Sequence, residues 1–330
     1  CGSGLTFPGN GTYDAPAGVL VPTAAEMAAA NTLIVVNAQR LAAVNGGEAS
    51  AVITSLNNLV SALNGPLGSL GLNPVIVYVE ADPAVQQAYY NWDANYCSPD
   101  YANDVVNAIN EYIDSLLPEV EVEPGVFEPN WAQIESITLI GPDSVVPFRR
   151  VVDGTLISNE TDFAAALYDP ANTAQSAIYG ALAAGYTLTD DFYAAYSSIF
   201  PSLNGPRAIP DWAVGRLVES TQQISDTIDQ YVANGGVLNT GPGVTALSTG
   251  YDFLTDGAER TTEVLTSAGV VTTDLISDLW DKDDLGDSLF PAAGAPDLIS
   301  LSAHFDDQVL VPAVSGVCLL YTSPSPRDED

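Results

Sequence analysis

Short apolar runs alternate with stretches of helical periodicity along most of the chain. Thr32–Val36 is a β-branched run of the kind that is buried in a parallel sheet. After it, apolar residues from Val52 to Leu63 recur at three- and four-residue steps, which predicts an amphipathic helix that ends at Gly65-Pro66. Further strands are predicted at Pro74–Val79, Ser136–Ile140, Ala213–Val218, Val244–Ser248 and Asp297–Ser302. This alternation predicts βαβ units, a mostly parallel sheet and a three-layer α/β/α fold.

The helices between these strands have start and stop signals of their own. Ser98-Pro99 offers a cap and a first-turn proline. Ser220-Thr-Gln-Gln223 is a capping box that opens a helix, and another short helix is predicted from Thr261 to Ala268. From Asp153 to Gly205 the pattern weakens to an Ala- and Tyr-rich stretch, helical around residues 177–184, which is typical of an insertion.

These changes of pattern divide the chain into five segments. They are a flexible leader (1–28), a first α/β subdomain (29–153), an insertion (154–205), a second α/β subdomain (206–317) and a non-native tail (318–330). The tail is set apart because residues 318–328 can be encoded by a DNA string that resembles a common transposase sequencing adapter. Cys318 is therefore not assigned to any catalytic site, and the fold is expected to be incomplete at its carboxyl end.

The charge of the chain narrows the classes of partner. With 42 Asp and Glu against 8 Lys and Arg, the 330 residues carry a formal charge of −34. The tail holds three of these acids and one of these bases, so its removal changes little. So negative a surface repels phosphate backbones and anionic lipids, which excludes nucleic acid as a partner. No run reaches the ~18 apolar residues of a transmembrane segment.

The amino terminus and the cysteines bear on location. Cys1-Gly-Ser-Gly4 and the Gly-, Pro- and Thr-rich run to Pro22 are typical of a flexible leader. This start resembles a mature bacterial lipoprotein with a lipid anchor at Cys1, and a gene cut at random could also begin here. Cys97 has no obvious partner, so no disulfide framework is predicted. We expect an extracellular or cell-envelope protein.

His304 is the main candidate for chemistry. With one histidine the chain has no HExxH-type zinc cluster, and no Gly-x-Ser-x-Gly elbow is present. His304 follows the last predicted strand, at the edge where parallel α/β sheets gather their reactive side chains. On the residues alone, a solvated loop histidine beside Asp306 and Asp307 is the competing interpretation. Gly241–Ala246 imitates a dinucleotide-binding turn but precedes a strand, so a nucleotide-binding Rossmann-like domain is a weaker alternative.

Three stretches resemble the gingipain-type cysteine peptidases, relatives of caspases and clostripain. Ile137–Pro147 is similar to their strand-turn segment with a glycine, an acidic residue and a valine-proline ending. Leu188–Tyr193 followed by Pro210–Leu217 is similar to their Ser-Asp-x-x-Tyr element and the Pro-Asp-x-x-Val-Gly-Arg that follows it. His304 stands at the strand end where these enzymes have their catalytic histidine. The similarity spans roughly residues 32–312.

The resemblance implies a caspase-like fold and a cysteine endopeptidase that acts on protein or peptide substrates without a catalytic cofactor. His304 would be the general base, and the backbone N–H of Phe305 would serve the oxyanion site where the family usually has glycine. The cysteine nucleophile would lie some tens of residues further on, so this chain is expected to be inactive by itself. The alternative of another class is a non-catalytic cell-surface or adhesion module on the same scaffold.

Several charged residues have two interpretations each. Asp190, Asp191 and Asp211 could share a structural calcium ion in an extracellular setting, or they could be separate solvated acids of a loop. Arg216 is more typical of a structural ion-pair partner than of a substrate clamp. Arg149-Arg150 is the only basic pair and is expected to neutralise nearby acids.

Overall fold

A computed structural model of the chain shows two compact units, Cys1–Gly236 and Val237–Asp330, which are described separately. The structure describes residues 21–45, 49–156, 159–167, 176–196, 199–201, 205–218, 220–237, 243–292, 294–305, 309–314 and 318–319. Among these residues, no helix combines the length and hydrophobicity that crossing a membrane requires.

The first unit alternates helices and strands from its start. In chain order its elements are α1 (Ala24–Ala29), β1 (Thr32–Val36), α2 (Ala38–Asn45), α3 (Ala49–Leu63), β2 (Pro74–Tyr78), α4 (Pro83–Ala94), α5 (Pro99–Leu116), β3 (Glu119–Glu123), β4 (Val126–Pro129), β5 (Ser136–Ile140), β6 (Arg149–Val152), α6 (Glu160–Leu167), α7 (Ala177–Ala183), β7 (Tyr186–Thr189), β8 (Ile199–Phe200), β9 (Arg207–Ala208), β10 (Ala213–Leu217) and α8 (Thr221–Ala233).

A parallel sheet of four strands in the order β10-β5-β1-β2 forms the centre of this unit. Every residue of β1 is buried, so both faces of the sheet are covered there. α3 packs against α8, and α4 packs against α5. The predicted mixed α/β class with a parallel sheet is confirmed, and the helix packing is compatible with the predicted three layers.

Three two-stranded antiparallel pairs, β3–β4, β6–β7 and β8–β9, extend the first unit beyond its parallel sheet. The predicted insertion, 154–205, contains α6, α7 and β7, and β7 pairs with β6 from the preceding segment. The compact units divide after Gly236, whereas the predicted second subdomain starts at residue 206. The difference arises because β10 pairs with β5 and α8 packs on α3, which joins both elements to the first unit.

The second unit is built on a parallel sheet of three strands in the order β12-β11-β13. Leu247, Trp280 and Leu310 belong to its buried apolar cluster. Its elements are β11 (Thr245–Gly250), α9 (Thr255–Ser267), β12 (Val271–Ile276), α10 (Lys282–Leu289), β13 (Leu298–Leu301), β14 (His304–Phe305), β15 (Val309–Val311) and β16 (Cys318–Leu319). The last three form a small antiparallel sheet, and residues 320–330 of the predicted tail lie outside the described part.

Local signals fix several of these boundaries. Ser220 caps α8 as predicted, since its hydroxyl accepts the N–H of Gln223 at 3.3 Å while the Gln223 side chain accepts the Ser220 N–H at 3.1 Å. Ser98 stands at the predicted cap of α5, but its side chain makes no capping hydrogen bond. The turn after β5 depends on Gly141, whose φ of +101° favours glycine.

Candidate functional site

The carboxyl edge of the second unit's sheet gathers the residues around His304. Tyr251, Asp252 and Phe253 directly follow β11, and His304 follows β13 after two intervening residues. Because β11 and β13 are adjacent parallel strands, these two loops leave the sheet at the same edge. Reactive groups of open parallel α/β sheets are found in this position.

Two aromatic side chains flank the imidazole of His304. The ring centroids of Tyr251 and Phe253 each lie 5.4 Å from the His304 centroid, at interplanar angles of 61° and 70°. Edge-to-face packing of this kind is favourable and restricts the orientation of a ring. His304 is nevertheless exposed to solvent, as is Phe253, whereas Tyr251 is buried. The imidazole is therefore held on two sides and open to an incoming group.

The hydroxyl of Tyr251 fixes the backbone beside this imidazole. It accepts the His304 N–H at 3.3 Å and donates to the Val311 carbonyl at 2.7 Å, and thus bridges β14 and β15. Trp280 packs edge-on against Tyr251 at 5.5 Å and donates its indole N–H to the Gly250 carbonyl at 3.4 Å. Buried polar groups with partners of this kind hold a unique geometry.

Asp252 introduces an unusual backbone conformation into the same loop. Its φ is +54°, and it is the one non-glycine residue of the described ranges with a positive φ. Asp tolerates the left-handed region better than most residues, but residues in such conformations cluster at functional sites. The Asp252 N–H donates to the Asp278 carboxylate at 3.0 Å, so the turn is tied to the segment after β12.

The other residues expected near His304 are less defined. Phe305 pairs with Leu310 in the antiparallel ladder of β14 and β15, and the oxyanion role of its N–H stays a prediction. Asp306 and Asp307 lie outside the described residues. Nothing in the sequence pattern singles out Tyr251 and Phe253 as neighbours of His304, because they come from the loop after a different strand.

In the first unit, the corresponding edge of the sheet is occupied by buried ion pairs. Arg216 holds Asp190 through two bonds, with Nε–Oδ2 at 2.9 Å, and the side chains are 6% and 17% exposed. Burial lowers the pKa of Arg216, but hydrogen bonding to Asp190 and its charge outweigh burial and raise it. The expected structural role of Arg216 is therefore confirmed. Two further buried pairs join Arg150 to Asp143 and Arg40 to Asp93.

These cations and two tyrosines hold the turn after β5. Arg216 Nη1 donates to the carbonyls of Gly141 and Val146, at 2.9 and 2.6 Å. Arg40 Nε donates to the Ser144 carbonyl at 2.7 Å. Further along the turn, Tyr89 donates to the Val145 carbonyl at 2.6 Å and Tyr193 to the Pro147 carbonyl at 2.7 Å. The arrangement stabilises the loop through bonds within the protein.

The three aspartates proposed to share calcium have separate surroundings. Asp190 is paired with Arg216, and the Asp211 carboxylate accepts the Tyr196 N–H at 2.9 Å. Asp191 lines a cavity beside β7. Within the described ranges, no group of three or more potential metal ligands is found. This geometry favours the interpretation as separate acids, and the calcium site stays a prediction.

No family model, curated protein or solved structure matches the chain in the three comparisons made. The resemblance to gingipain-type peptidases therefore depends on sequence motifs alone and stays a prediction.

Proposed function

We propose that the chain is part of a secreted cysteine endopeptidase with a caspase-like fold, in which His304 is the general base of a Cys/His dyad. The observation on which this proposal depends is the exposed imidazole held by Tyr251 and Phe253 at the carboxyl edge of a parallel sheet. The nucleophilic cysteine is proposed to come from polypeptide beyond residue 317.

The chemistry requires an imidazole in this setting. A cysteine thiol titrates near ~8.5, so a neighbouring imidazole must take its proton or stabilise its thiolate. Because Tyr251 and Phe253 restrict the ring of His304, a thiol placed beside it would meet a base of fixed orientation. The Phe305 N–H would then face the negative charge that develops on the substrate carbonyl.

A second support is that the segments carrying the resemblance contact one another. Arg216, from the Val-Gly-Arg segment, bonds Asp190 of the Thr-Asp-Asp segment and the carbonyls of Gly141 and Val146 in the strand-turn segment. Two of the three stretches similar to one family thus contact each other at the carboxyl edge of the first unit's sheet.

A disulfide at Cys97 in the first unit supports the proposed extracellular location. Cys97 is disulfide-bonded, contrary to the expectation that it has no partner. Stable disulfides form mainly in oxidising compartments. The lipid anchor at Cys1 is a separate proposal. A Cys1 sulfur that is bound to lipid in a thioether could not also form a disulfide with Cys97. Peptide mapping without reduction tests it: a lipid-modified Cys1 supports the anchor, and a Cys1–Cys97 disulfide contradicts it.

The test of the dyad is the reactivity of its thiol. The gene product that continues beyond residue 317 is treated with iodoacetamide at neutral pH, and the labelled cysteine is identified by mass spectrometry. We expect one cysteine to react fast in the wild type and at least about tenfold more slowly in His304→Gln, because its thiolate loses the imidazole. Asp287→Asn, which changes an exposed acid of α10, is the matched control.

The same experiment separates the proposed alternatives. A cysteine with equal reactivity in wild type and His304→Gln would contradict the dyad. No reactive cysteine at all would favour the non-catalytic adhesion module on this scaffold. The nucleotide-binding alternative has less support, since its glycine turn, of which residues 241–242 lie outside the described ranges, leads into the strand β11 and not into a helix.

A further inference from the structure

A cavity of about 620 Å³ lies in the first unit, beside the antiparallel strands β6 and β7 and beside β9. Its size falls within the range of roughly 300–1,000 Å³ that is usual for small-molecule sites. Val151, Phe192 and Ala208 give it apolar lining, and threonine hydroxyls and three charged groups complete it. All the residues that line the cavity belong to the first unit, whereas His304 belongs to the second.

Arg207 is the cation of this cavity. One of its nitrogens, Nη2, donates to the Val152 carbonyl at 2.6 Å, which anchors the side chain. No carboxylate of the described residues forms an ion pair with it, in contrast to the buried Arg40, Arg150 and Arg216. The rest of its guanidinium fork is therefore open to a carboxylate, for which an arginine is the most suitable partner.

The two acids of the cavity differ in their availability. The Asp153 carboxylate accepts N–H groups from Thr155 and Glu160, at 2.9 and 2.8 Å, and the Thr155 hydroxyl at 2.8 Å. These bonds, together with the nearby positive charge of Arg207, lower the pKa of Asp153 and leave its carboxylate already engaged within the protein. For the half-buried Asp191, no hydrogen bond to the carboxylate is found among the described residues, although its N–H donates to the Thr189 hydroxyl. Asp191 is thus the acceptor open to a ligand cation.

We propose that this cavity binds a small zwitterion of the class of free amino acids and short peptides. A carboxylate of the ligand pairs with Arg207, its ammonium group pairs with Asp191, and its apolar part covers Val151 and Phe192. A dianion such as a phosphate ester is disfavoured, because the cavity has two carboxylates for one guanidinium and the whole chain is strongly acidic. A purely cationic ligand would leave the open part of the Arg207 guanidinium without a partner.

The test measures binding of leucyl-leucine to the whole chain by titration calorimetry or NMR. We expect a Kd on the order of 0.1–1 mM, the range for a ligand of this size. N-acetyl-leucyl-leucine lacks the ammonium group and leucyl-leucinamide lacks the carboxylate, so each should bind about tenfold more weakly. These derivatives test the proposal on the wild type, without any effect of a mutation on folding.

Two variants test which residue of the cavity pairs with each charged group of the ligand. In Asp191→Asn the free and the acetylated dipeptide should bind equally, and in Arg207→Gln the acid and the amide should bind equally. Arg260→Gln and Asp287→Asn change exposed residues of the second unit and should leave all affinities as in the wild type. The proposal is overturned if leucyl-leucine does not bind at about 10 mM, if all three dipeptides bind alike, or if neither variant changes the preference.

Discussion

Arg216 shows how a single residue can resemble a binding group and act as an internal support. Its guanidinium contacts Asp190 and two carbonyls of the turn after β5, and its charge lies 4.1 Å from the Phe148 ring centroid. A buried cation with this many partners has little capacity left for a substrate. The sequence already favoured the structural role, because arginine beside a strand commonly anchors loop acids.

Removal of one member of the Arg216–Asp190 ion pair should lower the free energy of unfolding. Asp190→Asn leaves the Arg216 charge buried without its counter-ion, so we expect the free energy of unfolding to fall by about 3 kcal/mol. Urea denaturation at neutral pH measures it. The control is Arg260→Gln, which breaks a pair whose side chains are 74% and 67% exposed and should cost less than about 0.5 kcal/mol. Equal effects of the two changes would contradict the structural role.

Tyr251 and Phe253 could not be predicted from the sequence as neighbours of His304. The position of His304 after a strand could be inferred from the apolar pattern, but its neighbours come from a loop some fifty positions earlier. Only the pairing of β11 with β13 brings these loops together. A single sequence contains the strands but not their order in the sheet, so the aromatic surroundings of the imidazole could not be predicted.

At the scale of elements, the apolar runs predicted the buried strands well and the exposed ones poorly. β1 and β5 have the predicted bounds, since both are apolar and buried. β12 was not predicted, because its half-polar residues 271–276 are largely exposed. α9 begins at Thr255, before the predicted Thr261, since it follows a 3-10 turn directly and Leu254 offers no side-chain cap as a signal.

The turn after β5 gives a sharp test of element geometry. A Cβ on Gly141 would lie 2.9 Å from the Val145 Cβ, in a backbone with φ of +101°. We expect Gly141→Ala to reduce the free energy of unfolding by about 2 kcal/mol. Gly215→Ala in β10 meets nothing within 4 Å and has no positive φ, so its effect should stay within about 0.5 kcal/mol. Similar losses in both variants would contradict the described turn.

The carboxylate of Asp297 joins the start of β13 to the start of β11, so the stability of this junction should depend on pH. Asp297 accepts the N–H of Thr245 at 2.8 Å and its hydroxyl at 3.0 Å, and these bonds lower the Asp297 pKa below its ordinary 3.8. Its contribution to stability is therefore present above that value and is lost as the pH falls through the lowered pKa.

We accordingly expect Asp297→Asn to lower the Tm at neutral pH, with a difference that disappears under acidic conditions, where the wild-type carboxyl is also neutral. Asp287→Asn, on an exposed acid of α10, provides the reference curve. A difference in Tm that is independent of pH would show that the charge of Asp297 has no part in the junction.

At the scale of the whole molecule, the strongly negative charge means that specific binding of a cation must be distinguished from a general effect of salt. Three of the 8 basic residues are buried in ion pairs, so few bases remain to offset the acids at the surface. Because Asp190 is engaged by Arg216, we expect about 1 mM Ca²⁺, typical of extracellular calcium modules, to leave the Tm unchanged against EDTA at physiological salt. A rise that Asp191→Asn or Asp211→Asn abolishes would restore the calcium prediction.

We propose that His304 acts as the base of a cysteine peptidase. This role is tested by kcat/KM for cleavage of a mixed peptide substrate by the gene product extended beyond residue 317. We predict cleavage that thiol alkylation abolishes and that His304→Ala reduces by at least about 100-fold, with Asp287→Asn unaffected. Cleavage at the wild-type rate in His304→Ala would contradict the claim.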